Sequence, residues 1–358
     1  MSYKFSFLDL WPYLLIFLIF LLCLPYSQRN KTNSAIIYWV LLLFTVLRYD
    51  VGWDYATYVG DIKGNALERY EFLSKQIFTL THVINFFPIA FIIFGFLILY
   101  LTKKVIDKYS INTLVSWAVF YSYPQFFFAS LSTLRQSLAA TLIFYSYRFC
   151  SEKKIVPFLI CILAASLFHS SGIIGLLLYP LVHLKISRNL NVIIFVISFF
   201  MTEIIKNFIF PFIASQNFND QVKFYIEMNA KAPTLLPFVI YVITAFNLIF
   251  YKKLVNLNPD NKVYIFLTTT GAVIYNILLF EPNSALRISS FFLIFWVFIF
   301  PYYGLLINRR LHKLNTAFLV LFWIFISFSF LAIYIVNYDE KVIEKISFLP
   351  YKFWFNNL

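Results

Sequence analysis

The chain has 358 residues, 61% of them hydrophobic and 13% charged, and a water-soluble domain of that length has too little interior to hide so much apolar surface. Lipid is therefore the solvent for most of it. The net charge of +13 does not point to nucleic acid, because the Lys and Arg residues fall in short clusters between apolar blocks, where they act as topology signals.

The blocks approach the ~20 residues that a helix needs to cross a ~30 Å hydrocarbon core. The first, Leu10 to Leu24, reads as a retained span and not a cleaved leader, because its positive pair, Arg29 with Lys31, follows the block and no small-residue cleavage pattern does. Phe86 to Leu101, Leu190 to Phe212 and Ala317 to Val336 are further examples. About twelve apolar elements are present, each expected to be helical because open strands leave backbone groups unpaired in lipid. The expected fold is all-α and polytopic: one transmembrane domain over 1–358, with about ten full transmembrane helices plus a short or re-entrant helical hairpin.

Positive clusters recur at Arg29 and Lys31, Lys103 to Lys108, Arg148 to Lys154, Lys185 to Arg188, Lys252 and Lys253, and Arg309 to Lys313. The positive-inside rule turns these toward the cytoplasm. Loop 48–85, the break from Ser130 to Arg135, loop 214–233, Glu281 to Arg287 and the tail from Asn337 then lie outside, together with both termini. Ile155 to Val182 has cytoplasmic signals on both sides yet is shorter than the roughly 40 residues that two full passes require. The polar break His169-Ser170-Ser171-Gly172 at its middle predicts a hairpin with His169 near the outer tip, lined by protein or by a watery cavity.

Four positions carry charge or proton chemistry that needs a reason. Arg48 ends an apolar span and opens the string Arg48-Tyr49-Asp50-Val51-Gly52-Trp53-Asp54-Tyr55-Ala56-Thr57-Tyr58, which is either an aromatic belt with a snorkelling Arg or the floor of a pocket for an anionic, sugar-bearing ligand. Arg135 opens a helix on the side where the topology disfavours positive charge, so it needs an anion, a carbonyl or water; at a helix start it also suits phosphate. Arg287 repeats the arrangement after Glu281. Three such arginines fit a diphosphate clamp, because guanidinium groups bind phosphate oxygens bidentately and stay charged; internal ion pairs, Arg287 with Glu281 or Arg48 with Asp54, are the alternative. His169 could take a proton from a sugar hydroxyl or be a structural hydrogen-bonder. His82, His183 and His312 lie near predicted span ends and receive no role. The cysteines Cys23, Cys150 and Cys161 lack metal-ligand spacing, and no metal site is expected.

The string Leu47-Arg48-Tyr49-Asp50-Val51-Gly52-Trp53-Asp54-Tyr55 with Tyr58 resembles the signature of the EpsG family of bacterial exopolysaccharide polymerases, with Trp53 where small residues are more usual. Leu134-Arg135-Gln136-Ser137-Leu138-Ala139 is similar to its R-Q-x-x-A helix start, and Ala165-Ser166-Leu167-Phe168-His169 to its A-x-x-x-H segment. The resemblance implies a Wzy-like polymerase at the outer face of the cytoplasmic membrane, acting on undecaprenyl-diphosphate-linked oligosaccharides without a cofactor or metal. It implies that Arg48, Arg135 and Arg287 hold the diphosphate and that His169 is the base. Asp54 is the alternative base or an orienter of Arg48, and Tyr55, Tyr58 and Gln136 contact substrate. A chain-length regulator is a conceivable partner; nucleic acid is not.

Two rival functions share some of these features. A flippase for lipid-linked sugars also needs a cationic cavity and broken helices, but no repeated pattern links the two halves. A polysaccharide O-acyltransferase would use a membrane His, yet it has less need of arginines grouped for a diphosphate.

Overall fold

The computed structural model describes residues 10–27, 30–184, 186–209, 235–307, 312–336 and 348–357. Of these, 83% are helical. The expected loop 214–233, Arg29, Lys185, Arg309, Arg310 and the tail from Asn337 to Ser347 lie outside the described residues. Two compact units divide the chain: Met1–Leu176 with Phe300–Leu358, and Leu177–Ile299.

The first unit begins with α1 (Trp11–Cys23), α2 (Asn30–Val46), a two-residue strand β1 (Arg48–Tyr49), α3 (Tyr55–Lys63) and α4 (Phe72–Ile84). It continues with α5 (Pro88–Tyr109), α6 (Thr113–Ser122), α7 (Phe127–Ser132), α8 (Leu134–Ser151) and α9 (Ile155–Phe168). Proline in the first turn starts α1 and α5, where its missing N–H costs no hydrogen bond. Asn112 caps α6 by accepting the Val115 N–H at 3.2 Å. All of α6 is buried, and it forms the centre of this unit, with α1, α2, α5 and the long α17 (His312–Val336) packed around it. Aromatic rings fill the core, as the shortage of glycine predicts. Trp117 donates its indole N–H to Ser34 Oγ at 3.0 Å, and Tyr13 and Tyr121 are fully buried.

The second unit holds α10 (Leu178–His183), α11 (Arg188–Ile204), α12 (Leu235–Ile249), α13 (Tyr251–Leu257), α14 (Asn261–Ile277) and α15 (Pro282–Leu293). Polar side chains join its helices at depth: Asn276 Nδ2 donates to Ser198 Oγ at 2.7 Å, and Thr202 Oγ1 donates to the Asn276 carbonyl at 2.6 Å. A further helix, α16 (Trp296–Ile307), follows α15.

Among the described residues three helices are long and apolar enough to cross a bilayer: Pro88–Tyr109, Arg188–Asn207 and Lys313–Ala332, with mean hydropathies of 2.1, 1.6 and 2.1. Two bent pairs, Leu236–Ile249 with Tyr251–Leu257 and Pro282–Leu293 with Trp296–Leu306, raise the number to five if each is one span. The second pair is bent by 64°, at a tightened turn where Val297 and Phe298 bond three residues back. Only 11% of the second span's apolar window is buried, so its Ile193, Val196, Ile197 and Phe200 point outward. Surfaces of this kind are stable in lipid and not in water, and the apolar helices mark a membrane protein.

Two local features depart from an uninterrupted helical reading. The stretch 48–85, expected as a loop, contains α3 and α4. A short antiparallel ladder also pairs β1 with β2 (Lys352–Phe353), Arg48 opposite Phe353 and Tyr49 opposite Lys352, and the Trp354 N–H extends it to the Leu47 carbonyl at 3.1 Å.

Candidate active site

Four chain segments of the first unit meet around the residues singled out by sequence: the turn from β1 into α3, the junction of α7 and α8, the start of α4 and the break after α9. Gly52 makes the first of these possible. Its φ of +108° suits glycine, and a Cβ there would lie 2.1 Å from the Leu131 carbonyl oxygen. The turn therefore rests directly on the end of α7, where Trp53 N–H donates to Ser132 Oγ at 3.0 Å. Two residues later Leu134 begins α8, so Arg135 stands in its first turn.

Arg48 is 2% exposed, and its Nε, Nη1 and Nη2 are all buried with no hydrogen-bond partner among the described residues. The expected alternative, a hydrogen-bonded pair with Asp54, is not formed. Its guanidinium lies 5.3 Å from the centre of the Phe91 ring, against which Tyr55 stacks at 4.3 Å. Burial pulls the guanidinium down to about 10, against the opposing influence of Tyr351, Tyr55, Tyr13 and Tyr58, so it is charged at neutral pH. A buried charge without a counter-ion is costly. Burial likewise pushes the Tyr55 phenol up to about 12.

Arg135 is compensated. It forms an ion pair with Glu71, stacks 4.6 Å above the Tyr70 ring and has the Tyr58 hydroxyl within hydrogen-bonding reach. Tyr58, 4% exposed, lies near enough to both arginines to favour the charge of each. Gln136 is buried beside Arg135 on the same turn.

Glu71 does not stand out in the sequence, where 48–85 reads as one loop. It is the N-terminal residue before α4, and its other oxygen, Oε1, accepts the Ser170 N–H at 2.9 Å. Burial pushes its carboxyl up, but the Ser170 N–H, Arg135, its own N–H and His169 together hold it below its ordinary value. An acid directly before the apolar helix 72–84, two residues after Arg69, was the available signal.

His169 ends α9 in an extended conformation, φ −156° and ψ 128°. Around it the chain doubles back: a Cβ on Gly172 would lie 2.5 Å from the Ala165 carbonyl carbon, and one on Gly175 would lie 2.7 Å from Ile162 Cδ1. Position 172 thus faces 165 and 175 faces 162, the register of a tight hairpin. Ser74 Oγ fixes the hairpin to α4 by donating to the Phe168 carbonyl at 2.8 Å. The His169 Nδ1 is 2.7 Å from Ser171 Oγ and 3.3 Å from the Ser171 N–H.

Asp54 sits at the start of α3, half-buried. Arg287 belongs to the second unit, in α15; there Glu281 caps the helix by accepting the Asn283 and Ser284 N–H groups at 3.3 and 2.6 Å. Among the described residues no group of His, Cys, Asp and Glu is arranged to hold a metal ion.

No curated protein and no solved structure matches the chain. The sequence model of the EpsG family, however, matches residues 31–353, a range that takes in Arg48, Glu71, Arg135, His169 and Arg287. The three strings that resemble that family's motifs supply Arg48, Arg135 and His169, on separate elements of one unit. The chain belongs to the EpsG family, which is associated with polysaccharide polymerase activity of the glycosyltransferase type.

Proposed function

We propose that the protein is a polysaccharide repeat-unit polymerase. It transfers a growing chain from undecaprenyl diphosphate onto a lipid-linked oligosaccharide acceptor at the outer face of the bacterial cytoplasmic membrane. The observation that carries this reading is Arg48, a buried guanidinium with no hydrogen-bond partner among the described residues. Such a group is stabilised by an arriving anion, and a diphosphate offers the bidentate geometry it prefers.

In the reaction the acceptor hydroxyl oxygen attacks the anomeric carbon of the donor chain. The bond from that carbon to the diphosphate oxygen breaks, and the oxygen keeps the electron pair. Arg48 and Arg135 stabilise the charge that develops on the leaving group. His169 takes the acceptor's proton. The imidazole is oriented by Ser171, whose Oγ lies 2.7 Å from Nδ1 and whose N–H donates to Nδ1 at 3.3 Å; Asp54 is the alternative base. Tyr55, Tyr58 and Gln136 line the sugar path, and aromatic faces suit sugar rings. The guanidinium groups fill the role that a metal fills elsewhere, so polymer forms in excess EDTA. The topology that accompanies this reading has about ten spans, the shorter apolar helices included, with both termini outside.

The test is reconstitution. Purified protein in vesicles, given lipid-linked repeats, should release undecaprenyl diphosphate in proportion to the glycosidic bonds formed, and Arg135→Ala should lower that rate by about 100-fold or more. Movement of lipid-linked repeats across the vesicle membrane without bond formation would replace this reading with that of a flippase.

A further inference from the structure

Glu71 occupies two donors that a phosphate oxygen would also use. One is the Arg135 guanidinium; the other is the Ser170 N–H, 2.9 Å from Oε1, at the start of the eight-residue 3-10 segment Ser170–Leu177. Both donors, and His169 beside them, keep their places for reasons independent of Glu71. Arg135 stacks on Tyr70, and Tyr70 is itself held by hydrogen bonds with Asp61 and Arg69. The backbone at Ser170 is set by the hairpin, through the His169 N–H to the Ala165 carbonyl at 2.9 Å and the Gly172 N–H to the His169 carbonyl at 2.8 Å. The donors thus form a ready anion site in which a side-chain carboxylate sits, whereas Arg48 has no such occupant.

We propose that Glu71 is a displaceable internal anion: the substrate diphosphate takes its place on Arg135, and Glu71 returns to expel the lipid diphosphate after transfer. The proposal rests on the reading of this site as the diphosphate site. Its physical motive lies in the reaction itself. When the bond to the anomeric carbon breaks, the diphosphate changes from a diester to a monoester and gains a negative charge, so arginines that bind the donor bind the spent carrier more tightly still. A competing carboxylate weakens both and lets the product go. Glu71 is a positioning and release residue in this scheme, not one that touches the reacting atoms.

The experiment measures binding of farnesyl diphosphate, a short soluble prenyl diphosphate, to the full chain in nanodiscs. Wild type, Glu71→Gln, Arg135→Ala and the double variant are compared. Glu71→Gln should bind about fivefold tighter than wild type, Arg135→Ala should bind more weakly, and adding Glu71→Gln to Arg135→Ala should restore nothing. Steady-state polymerisation by Glu71→Gln should also become more sensitive to inhibition by added undecaprenyl diphosphate. A purely structural cap would not tighten binding. If Glu71→Gln binds as wild type or more weakly while Arg135→Ala still loses affinity, the release role is overturned and the diphosphate site stands. If Arg135→Ala binds like wild type, both fall. Glu71→Asp keeps the charge before α4 but is one methylene shorter, so it cannot hold both donors at once. It should also bind more tightly than wild type, and tests the proposal if the Gln variant does not fold.

Discussion

Arg48 and Arg135 share a residue type and a neighbour, Tyr58, but differ in what surrounds their charge. Replacing a buried, uncompensated cation with an apolar side chain of similar length removes a desolvation cost. Arg48→Met should therefore stabilise the protein by about 1–3 kcal/mol, seen as a higher Tm in detergent, while it abolishes polymer. Removing Arg135 instead strands Glu71, so Arg135→Met should lower the Tm. The Glu71 carboxyl, whose ordinary value is 4.5, is held lower in the fold. A depressed carboxyl contributes its stability above the unfolded value and loses it as pH falls through the folded one. The Tm gap between wild type and Glu71→Gln should accordingly be widest near neutrality, shrink as pH falls below 4.5 and vanish once pH has passed the lower value of the folded state. Ser171→Ala should leave the Tm near wild type and slow polymerisation by about tenfold, because the hydroxyl that holds the His169 ring in place, 2.7 Å from Nδ1, is lost.

At the scale of elements, the arginines are positioned by close approach, and those approaches were only partly legible. The apolar blocks read from sequence coincide with α1, α5, α11 and α17, since twenty apolar residues in lipid leave the backbone little choice but a helix. The polar interruption at His169 marks the hairpin for the same reason. The ladder between β1 and β2 has no such signature: four residues at distant ends of the chain carry it, and only the fold brings them together. Glu71 was hidden because α4 is short and flanked by charge, so its first residue looked like loop. Gly52→Ala, which would push a methyl group against the Leu131 carbonyl, should destabilise the turn by about 2–4 kcal/mol. It should cost polymer and Tm together, in contrast to Arg48→Met, which separates them.

For the whole molecule, composition pointed to the membrane setting, and the three motifs pointed to the family that the match over residues 31–353 shows. The count of spans is harder to read, because bent pairs and helices of ten to sixteen residues are intermediate between a crossing and a buried core element. The proposed orientation is open to reporter fusions: one after Asp61 and one after Lys104 should report opposite sides. The most direct measurement is gel analysis of surface glycan from a deletion strain carrying either wild type or Arg48→Met, with protein levels matched. The account predicts a ladder of long polymer for wild type and single repeats, still exported, for Arg48→Met. A full ladder from Arg48→Met, or the loss of even the single external repeat, would contradict it.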